Sequence, residues 1–485
     1  MKEKISFFLN GILKEVTVKA ETTVLELLRN SLMLQGIKEG CGEGDCGACT
    51  VVIGEIRNGL VHYKSVAGCL YLAAKLEGKH LITIEGLSDK NKLHPIQEAI
   101  IHAHATQCGF CTPGVSLSIL ALYLERSNPT KEDFRRYLEG NLCRCTGYTS
   151  IRNVPDFLND LNLSLKDYRP EYLSKTEEKQ LSFVTDDIFV DDGKTAYYSP
   201  VSQANLLTFL NHHKPLTDTG DLCFINGGSD VVVGIKKRGQ HYRLLLDLSR
   251  ITSMKSVTWD NTFLCIGAGV TLSEIMDTAK TVFPEFAATI SQMCSEQVRS
   301  SATLSGNIVN ASPVADTVPL LMALDAQLHL AEETGFRTVP LRDFYLGYKK
   351  THKKSSEWVQ SITIPLGIYN FIHFEKVSKR KEVDISSVNS AVALQIENGI
   401  ITKAHLACGG VGATTLYMAK TSRYLEGKAM SEDTFVDAYA VVAKEATPID
   451  DVRASAEYRT AIMGNLLMKH YLAYKNSQEE PVYAR

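Results

Sequence analysis

The placement of cysteine constrains this chain more than any other feature. Eight of its 12 cysteines lie within the first 145 of 485 residues, in two groups of four with different spacings. Cys41, Cys46 and Cys49 are followed at a distance by Cys69; Cys108 and Cys111 are followed by Cys143 and Cys145. C-x4-C-x2-C with a remote fourth cysteine is the plant-type [2Fe–2S] spacing. A structural zinc site also uses four thiolates, but it usually presents paired C-x2-C arms, which the first loop lacks. That loop, Lys38 to Cys49, carries Gly40, Gly42, Gly44 and Gly47 among its cysteines. Such glycines let a backbone fold tightly and turn its amides inward, where N–H groups stabilise a negatively charged cluster. In the second group Cys143 and Cys145 are two apart, which demands an irregular turn and disfavours a disulfide or a regular zinc knuckle.

Size and charge narrow the class. A chain of 53.6 kDa is too long for one core, so three to four domains are expected at roughly 100–200 residues each. A net charge of -3 argues against broad attraction to nucleic acid or acidic membranes. No apolar run reaches the ~18 residues of a membrane span. The start, Met1 to Asn10, is too weakly apolar for an export signal, so reduced thiols in the cytoplasm are expected.

The periodicity around the first group predicts a small β-rich domain. Residues 5–18 read as a hairpin about Asn10-Gly11, a strong turn dipeptide. Thr22 or Thr23 caps a helix carrying Val24, Leu25, Leu27 and Leu28 on one face. Residues 50–53 and 81–84 supply further strands. The second group sits between helices expected at 95–105, 115–124 and 131–138, the last opened by a Thr130–Asp133 capping box. Arg144 offsets cluster charge or is an ordinary surface arginine; both readings stand. His102 and His104 read as helix-surface or packing residues.

The Lys38–Thr50 loop, the Gln107–Gly114 motif QCGFCTPG and Asn141 to Tyr148 together resemble the iron–sulfur domains of the xanthine dehydrogenase family of molybdenum hydroxylases. The resemblance implies Cys41, Cys46, Cys49 and Cys69 as ligands of a ferredoxin-like cluster. It likewise implies Cys108, Cys111, Cys143 and Cys145 as ligands of a second cluster nearer the molybdopterin.

Beyond residue 160 the chain turns polar, with little periodicity and an Arg169-Pro170 break, as expected of a connector. A new unit opens near Tyr198 and Pro200, with a helix at 203–210. Two glycine-centred segments follow, Phe224 to Val233 and Ser300 to Asp316. Successive amides at such turns can hold a pyrophosphate without a lysine, although a double glycine is equally consistent with a simple turn. No GxGxxG followed by a βαβ pattern is present, so a Rossmann site is not expected. Cys223, Cys265, Cys294 and Cys408 read as inert buried thiols.

The same family resemblance extends over these segments. It implies that Asn226, Gly227, Gly228, Ser229, Asp230, Val231, Val232 and Val233 wrap an FAD diphosphate. It also implies that Thr303, Gly306, Asn307 and Asp316 touch the flavin nucleotide, Asp316 at its ribityl or ribose hydroxyls. Lys376, in the segment Phe374 to Arg380, is either a further flavin contact or part of a solvated charge run. Met293 lies where some relatives stack a ring, and the glycines of residues 404–415 read as structural.

The expected architecture is therefore multidomain α+β: a β-grasp ferredoxin-like [2Fe–2S] domain (1–85), an all-α helical [2Fe–2S] domain (86–163) and a linker (164–194). A two-part α+β FAD-binding domain (195–365) and an α+β C-terminal flavoprotein domain (371–482) complete it. By resemblance, the chain is the electron-transfer subunit of a xanthine dehydrogenase-type hydroxylase, with no catalytic side chain of its own for the purine. A separate molybdopterin-binding large subunit would oxidise hypoxanthine or xanthine. Electrons would pass through the Cys108 cluster and then the Cys41 cluster to FAD and NAD+, within a heterotetramer or larger hetero-oligomer. Three other readings stand at this stage. They are a flavin/iron–sulfur reductase serving another acceptor, a subunit of an aldehyde or N-heterocycle hydroxylase, and a non-redox scaffold.

Overall fold

The computed structural model describes residues 4–88, 92–161, 164–183, 185–213 and 221–478. The expected domain limits at 163 and 482 lie outside the described residues. The chain divides into two compact units: Met1–Thr252 with Cys294–Ala302, and Ser253–Met293 with Thr303–Arg485.

The first unit opens with the expected hairpin, Ile5–Leu9 against Ile12–Val16. Asn10 and Gly11 both have positive φ (47° and 86°), which a two-residue turn between twisted strands requires. The sheet runs in the order Ile12–Val16, Ile5–Leu9, His80–Ile82, Thr50–Arg57 and Leu60–Ala67. His80–Ile82 is parallel to Ile5–Leu9 and the other neighbours are antiparallel, the β-grasp arrangement. Thr23 makes a capping box with Glu26 at the start of Val24–Glu26, and a π turn at Leu27–Ser31 extends that helix. Val24, Leu25, Leu27 and Leu28 are all buried.

Helices Pro95–His102, Thr112–Glu125, Lys131–Leu138, Thr149–Arg152 and Val154–Asp160 form the next layer. Thr112–Glu125 begins three residues earlier than expected because Pro113 is tolerated in a first turn, where its missing N–H has no partner to lose. It is buried continuously from Gly114 to Tyr123. The Thr130–Asp133 capping box forms as read.

The stretch expected as a linker is packed rather than loose. It contains a helix, Leu173–Leu181, and a strand, Ile188–Asp191. Buried Gln180 donates to the carbonyls of Gly54 (2.9 Å) and Gly78 (3.1 Å), which fastens the helix to the first sheet. The strand joins Ala196–Ser199, Leu244–Asp247 and Leu222–Ile225 in a four-stranded sheet whose last three members are parallel.

Between Leu222–Ile225 and Leu244–Asp247 lies a helix, Ser229–Arg238, so a βαβ unit is present where the sequence suggested none. Val231-Val232-Val233 is β-branched and favours a strand. Gly228, at φ 75°, turns the chain sharply enough that these valines enter a helix, with Val232 packed in the core.

The second unit holds a five-stranded antiparallel sheet ordered Val257–Trp259, Phe263–Gly267, Trp358–Pro365, Gln327–Glu332, Gly335–Pro340. It also holds an antiparallel sheet ordered Phe371–Val377, Val388–Glu397, Ile400–Gly409, Leu416–Tyr417. Helices Ala419–Leu425, Glu432–Glu445 and Ala456–Gln478 cover the latter, over a core of Val388, Val392, Leu406, Phe435, Met463 and Leu467. The architecture is multidomain α+β, with separate β-grasp, helical and two-part flavoprotein regions.

Candidate iron–sulfur and flavin sites

All 12 cysteines are free. In the first group Cys49 and Cys69 are buried, with their sulfurs 3.2 Å apart. The backbone amides of Glu43 and Asp45 donate to Cys41 Sγ at 3.4 and 3.3 Å. These are the inward amides anticipated from the glycine spacing. The loop closes this tightly because Gly42 and Gly44 adopt φ of 70° and 89°, and a Cβ at Gly40 would stand 2.7 Å from Cys46 Sγ. Hydrogen bonds from the Cys46 and Cys69 thiols hold Cys41 well below the usual thiol range. Contact with Cys41 pushes Cys46 and Cys69 the other way.

The second group straddles helix ends. Cys111 is the N-cap of Thr112–Glu125, where the helix dipole favours a thiolate. Cys143 lies in the irregular turn after Lys131–Leu138. Thr146 Oγ1 donates to Cys143 Sγ at 3.1 Å, and the Cys143 amide donates to the Tyr148 hydroxyl, also at 3.1 Å. Burial pushes Cys143 up, but the Thr146 bonds outweigh it and hold the thiol low; Cys111 is pushed up to about 12, by burial first and Cys143 second. Cys108 and Cys145 are exposed, and Cys108 pushes the Cys145 thiol up. Arg144 is exposed as well.

The two groups come into direct contact. The Leu142 amide, one residue before Cys143, donates to the Cys46 carbonyl at 3.0 Å. Asn141 Nδ2 donates to the Gly47 carbonyl at 3.2 Å. A Cβ on Gly114 would fall 2.2 Å from the Gly47 oxygen, so both loops need glycine where they touch.

A third strand of chain completes this contact, and sequence reasoning missed it. Gln297 Nε2 donates to Asn141 Oδ1 (3.0 Å), Ser118 Oγ (2.9 Å) and the Tyr137 carbonyl (3.1 Å). Glu296 pairs with Arg136 at 2.7 Å, and Arg299 pairs with Glu139 and donates to the Cys294 carbonyl at 2.7 Å. Glu296, Gln297 and Arg299 are all at most 3% exposed. Their polar sequence, Ser295-Glu296-Gln297, reads as surface, and only the partners in the helical domain explain the burial.

Among the described residues, no three or more His, Cys, Asp or Glu side chains surround a single ion position. Four sulfurs per group, backbone N–H donors aimed at sulfur and glycine-tight loops fit a sulfide-bridged cluster in each.

The flavin segments are built as follows. In the first unit, Gly227 cannot carry a side chain, because its Cβ would lie 2.2 Å from the Ser301 carbonyl oxygen. Gly228 serves as N-cap of Ser229–Arg238 with no side-chain cap, so the helix presents its first amides without a competing donor or acceptor. This glycine cradle at the start of a ten-residue helix fits a diphosphate. Lys75 Nζ reaches the Asn226 carbonyl and Asp247 (2.9 Å) from beneath the cradle. The Lys75 charge, Tyr197 and Ser249 hold buried Asp247 below the usual carboxylate range, although desolvation, the largest single influence, opposes them.

In the second unit, Thr303 caps Leu304–Val309 by accepting from the Gly306 amide at 3.1 Å. Asn307 Oδ1 accepts from Thr317 Oγ1 at 2.6 Å. Asp316 accepts from Ser386, from Asn389 Nδ2 (2.8 Å) and from Lys376 Nζ (2.7 Å). Lys376 also donates to the Gln292 carbonyl at 2.9 Å, so it is a buried partner of Asp316 and not a solvated charge. Met293 is buried. Gly409 and Gly410 lie against Asn389 and the Ser387 carbonyl with no room for a Cβ, and their role is structural, as read. Cys408 is buried, whereas Cys223, Cys265 and Cys294 are only half-buried.

Four family models cover most of the chain: a 2Fe-2S iron-sulfur cluster binding domain at residues 7–68, a [2Fe-2S] binding domain at 83–154, an FAD binding domain in molybdopterin dehydrogenase at 193–367, and a CO dehydrogenase flavoprotein C-terminal domain at 373–474. Mouse xanthine dehydrogenase/oxidase is 30% identical over 97% of this chain and 39% of its own length. Bovine aldehyde oxidase 1 is 29% identical with the same coverage of both chains. The chain spans about two fifths of the length of such curated relatives, 39% in both cases. Among solved structures, a chain of CO dehydrogenase from Oligotropha carboxidovorans superposes with a TM-score of 0.53 at 26% identity, covering 57% of this chain and 96% of that one. The ordered matches, the paired thiol groups and the glycine cradle agree: this chain is an iron–sulfur/FAD-binding flavoprotein of the molybdenum-hydroxylase (CO dehydrogenase/xanthine oxidase) family.

Proposed function

We propose that the chain is the electron-carrying part of a xanthine dehydrogenase-type hydroxylase, cytoplasmic, with NAD+ as acceptor and hypoxanthine or xanthine oxidised at a molybdopterin held by a partner chain. When bound, the iron–sulfur clusters exchange single electrons, and the flavin collects two and can deliver them as hydride. The residues of this chain hold and orient those groups. Cys41, Cys46, Cys49 and Cys69 would ligate one cluster and Cys108, Cys111, Cys143 and Cys145 the other. Asn226 to Val233 would wrap the FAD diphosphate, with Thr303, Gly306, Asn307 and Asp316 contributing from their own segment and Lys376 acting through Asp316.

The observation that carries this reading is the hydrogen bond from Leu142 to Cys46, which joins the backbone of one ligand loop to that of the other. A scaffold in which the clusters only stabilised the fold would not need the two cysteine loops bonded to each other. The exposed edge of the second group supports a partner there: Cys108 and Cys145 lie open to solvent, with Phe110 46%, Leu142 48% and Tyr148 37% exposed. Among the described residues no helix is long and apolar enough to cross a membrane. The xanthine assignment is favoured by relatives that match both the iron–sulfur and flavin regions of this chain. The CO dehydrogenase chain matches only 57% of it.

An aldehyde-oxidising complex is the second reading, because bovine aldehyde oxidase 1 matches almost as well. Native purification followed by iron, sulfide, flavin and molybdenum analysis tests the assembly. A screen of xanthine, hypoxanthine and aldehydes with NAD+ or oxygen tests the chemistry. Xanthine-dependent NADH formation is expected; turnover of aldehydes alone would select the second reading.

A further inference from the structure

Lys75 is six residues past Cys69, on the 3-10 turn Ala73–Leu76 of the β-grasp domain, and its side chain is only 4% exposed. Its ammonium donates to three acceptors: the Asn226 carbonyl, Asp247 Oδ2 at 2.9 Å and Ser249 Oγ at 3.1 Å. Asp247 is completely buried, and Tyr197 Oη donates to the same oxygen at 2.6 Å. A lysine from the cluster domain thus ends directly beneath the first peptide of the glycine cradle, 151 residues further along the chain.

We propose that Lys75 is a positioning residue for the dinucleotide. In a trans peptide the carbonyl and the following N–H point in opposite directions. Anchoring the Asn226 carbonyl downward on Lys75 therefore turns the Gly227 N–H up into the cradle, where it can meet a diphosphate oxygen. Ser301 and Ala302 pack so closely against Gly227 that an added Cβ would stand 2.2 Å from the Ser301 oxygen, which limits the freedom of this peptide. Asp247 adds little repulsion toward a phosphate, since its charge is matched by the same ammonium. Because Lys75 shares a short segment with Cys69, the arrangement also ties the loop that holds the flavin to the loop that holds the first cluster. The inference rests on the reading of Asn226 to Val233 as the diphosphate loop.

Full-length protein carrying Lys75→Met provides the test, with Lys75→Met/Asp247→Asn as the companion in case the single change leaves an unfolded chain around an unpaired carboxylate. Lys236→Ala is the control: it cuts the 2.8 Å Lys236–Glu26 pair, another tie between the same two regions, without touching Asn226. FAD is removed and rebound by titration; iron and sulfide are counted; phosphorus NMR follows the bound diphosphate. The proposal requires FAD to bind at least tenfold more weakly in both Lys75 variants, with displaced diphosphate resonances and unchanged iron. Lys236→Ala should match the parent. Affinities within twofold of the parent, or the same loss in Lys236→Ala, would overturn it. If the parent protein itself takes up no FAD, the flavin reading fails, and this inference fails with it.

Discussion

Lys376 Nζ donates to Asp316 Oδ2 at 2.7 Å, with the two side chains 3% and 10% exposed. Asp316, which the family resemblance implies at the flavin, and Lys376, left open between a flavin contact and a solvated charge, are thus each other's partner. Removing one side of a buried pair leaves an uncompensated charge and costs about 3–5 kcal/mol. Lys376→Met should therefore lower the unfolding free energy of the flavoprotein region by about 3 kcal/mol or more. Lys376→Met/Asp316→Asn should recover much of that loss. Urea titration of both variants, followed by tryptophan fluorescence and far-UV circular dichroism, checks the order.

The close approach of the two ligand loops makes Gly114 irreplaceable. A methyl group there would stand 2.2 Å from the Gly47 carbonyl, a backbone atom that cannot move aside without displacing Cys46 and Cys49. Gly114→Ala should reduce the content of both clusters, although neither loses a ligand. Gly147→Ala is the contrast, since only its φ of 65° opposes the change and no atom lies within 4 Å of the new Cβ. Iron content and the paramagnetic signals of the reduced proteins distinguish the two.

How much of this was legible in the sequence depends on how far each determinant reaches. The Asn10-Gly11 hairpin and the Thr130–Asp133 box are decided within a few residues, and both form as read. Within each group the close cysteine spacings are a local code, whereas Cys69, 20 residues beyond Cys49, was assigned by the family resemblance. The Lys75–Asn226 and Gln297–Asn141 contacts span 151 and 156 residues and have no local signature. The Ser229–Arg238 helix was obscured for another reason: three consecutive valines favour a strand, and the Gly228 turn overrides them. The packing of residues 173–181 was hidden by polar composition, since Gln180 is buried to satisfy the carbonyls of Gly54 in the first sheet and Gly78 in the turn before His80–Ile82.

Asn141 is the common acceptor and donor of the region between the clusters. Asn141→Ala would strip Ser118 and Gln297 of an acceptor and Gly47 of a donor, all in buried surroundings. Gly47 keeps Thr50 as donor and Gln297 keeps Ser118 and Tyr137 as acceptors, so the Ser118 hydroxyl is the group left orphaned, at about 1–3 kcal/mol. The expected outcome is a loss of about 1–3 kcal/mol in the stability of the iron–sulfur region. Faster release of iron to a chelator at neutral pH should accompany it.

Acid should destabilise the β-grasp domain through His80. Burial lowers its pKa from the ordinary 6.5 to about 3, with Tyr63 and Tyr172 packed edge-on against the ring. Between those values the unfolded chain binds a proton that the folded chain does not, so stability falls as pH drops below about 6.5, by about 1.4 kcal/mol per pH unit. Denaturation at pH 7.5, 6.5 and 5.5 should show the total loss of stability across that range smaller in His80→Phe by about 1.4 kcal/mol. An unchanged slope would mean that His80 is not the buried titrating group.

The central claim is that eight cysteines hold two [2Fe–2S] clusters. Anaerobically purified protein should contain about four irons and four sulfides per chain, and dithionite should bleach its visible absorption and produce two distinct paramagnetic signals. Cys69→Ser and Cys145→Ser should each remove a different one of these signals. Zinc in place of iron, or about two irons with a single signal, would contradict the account.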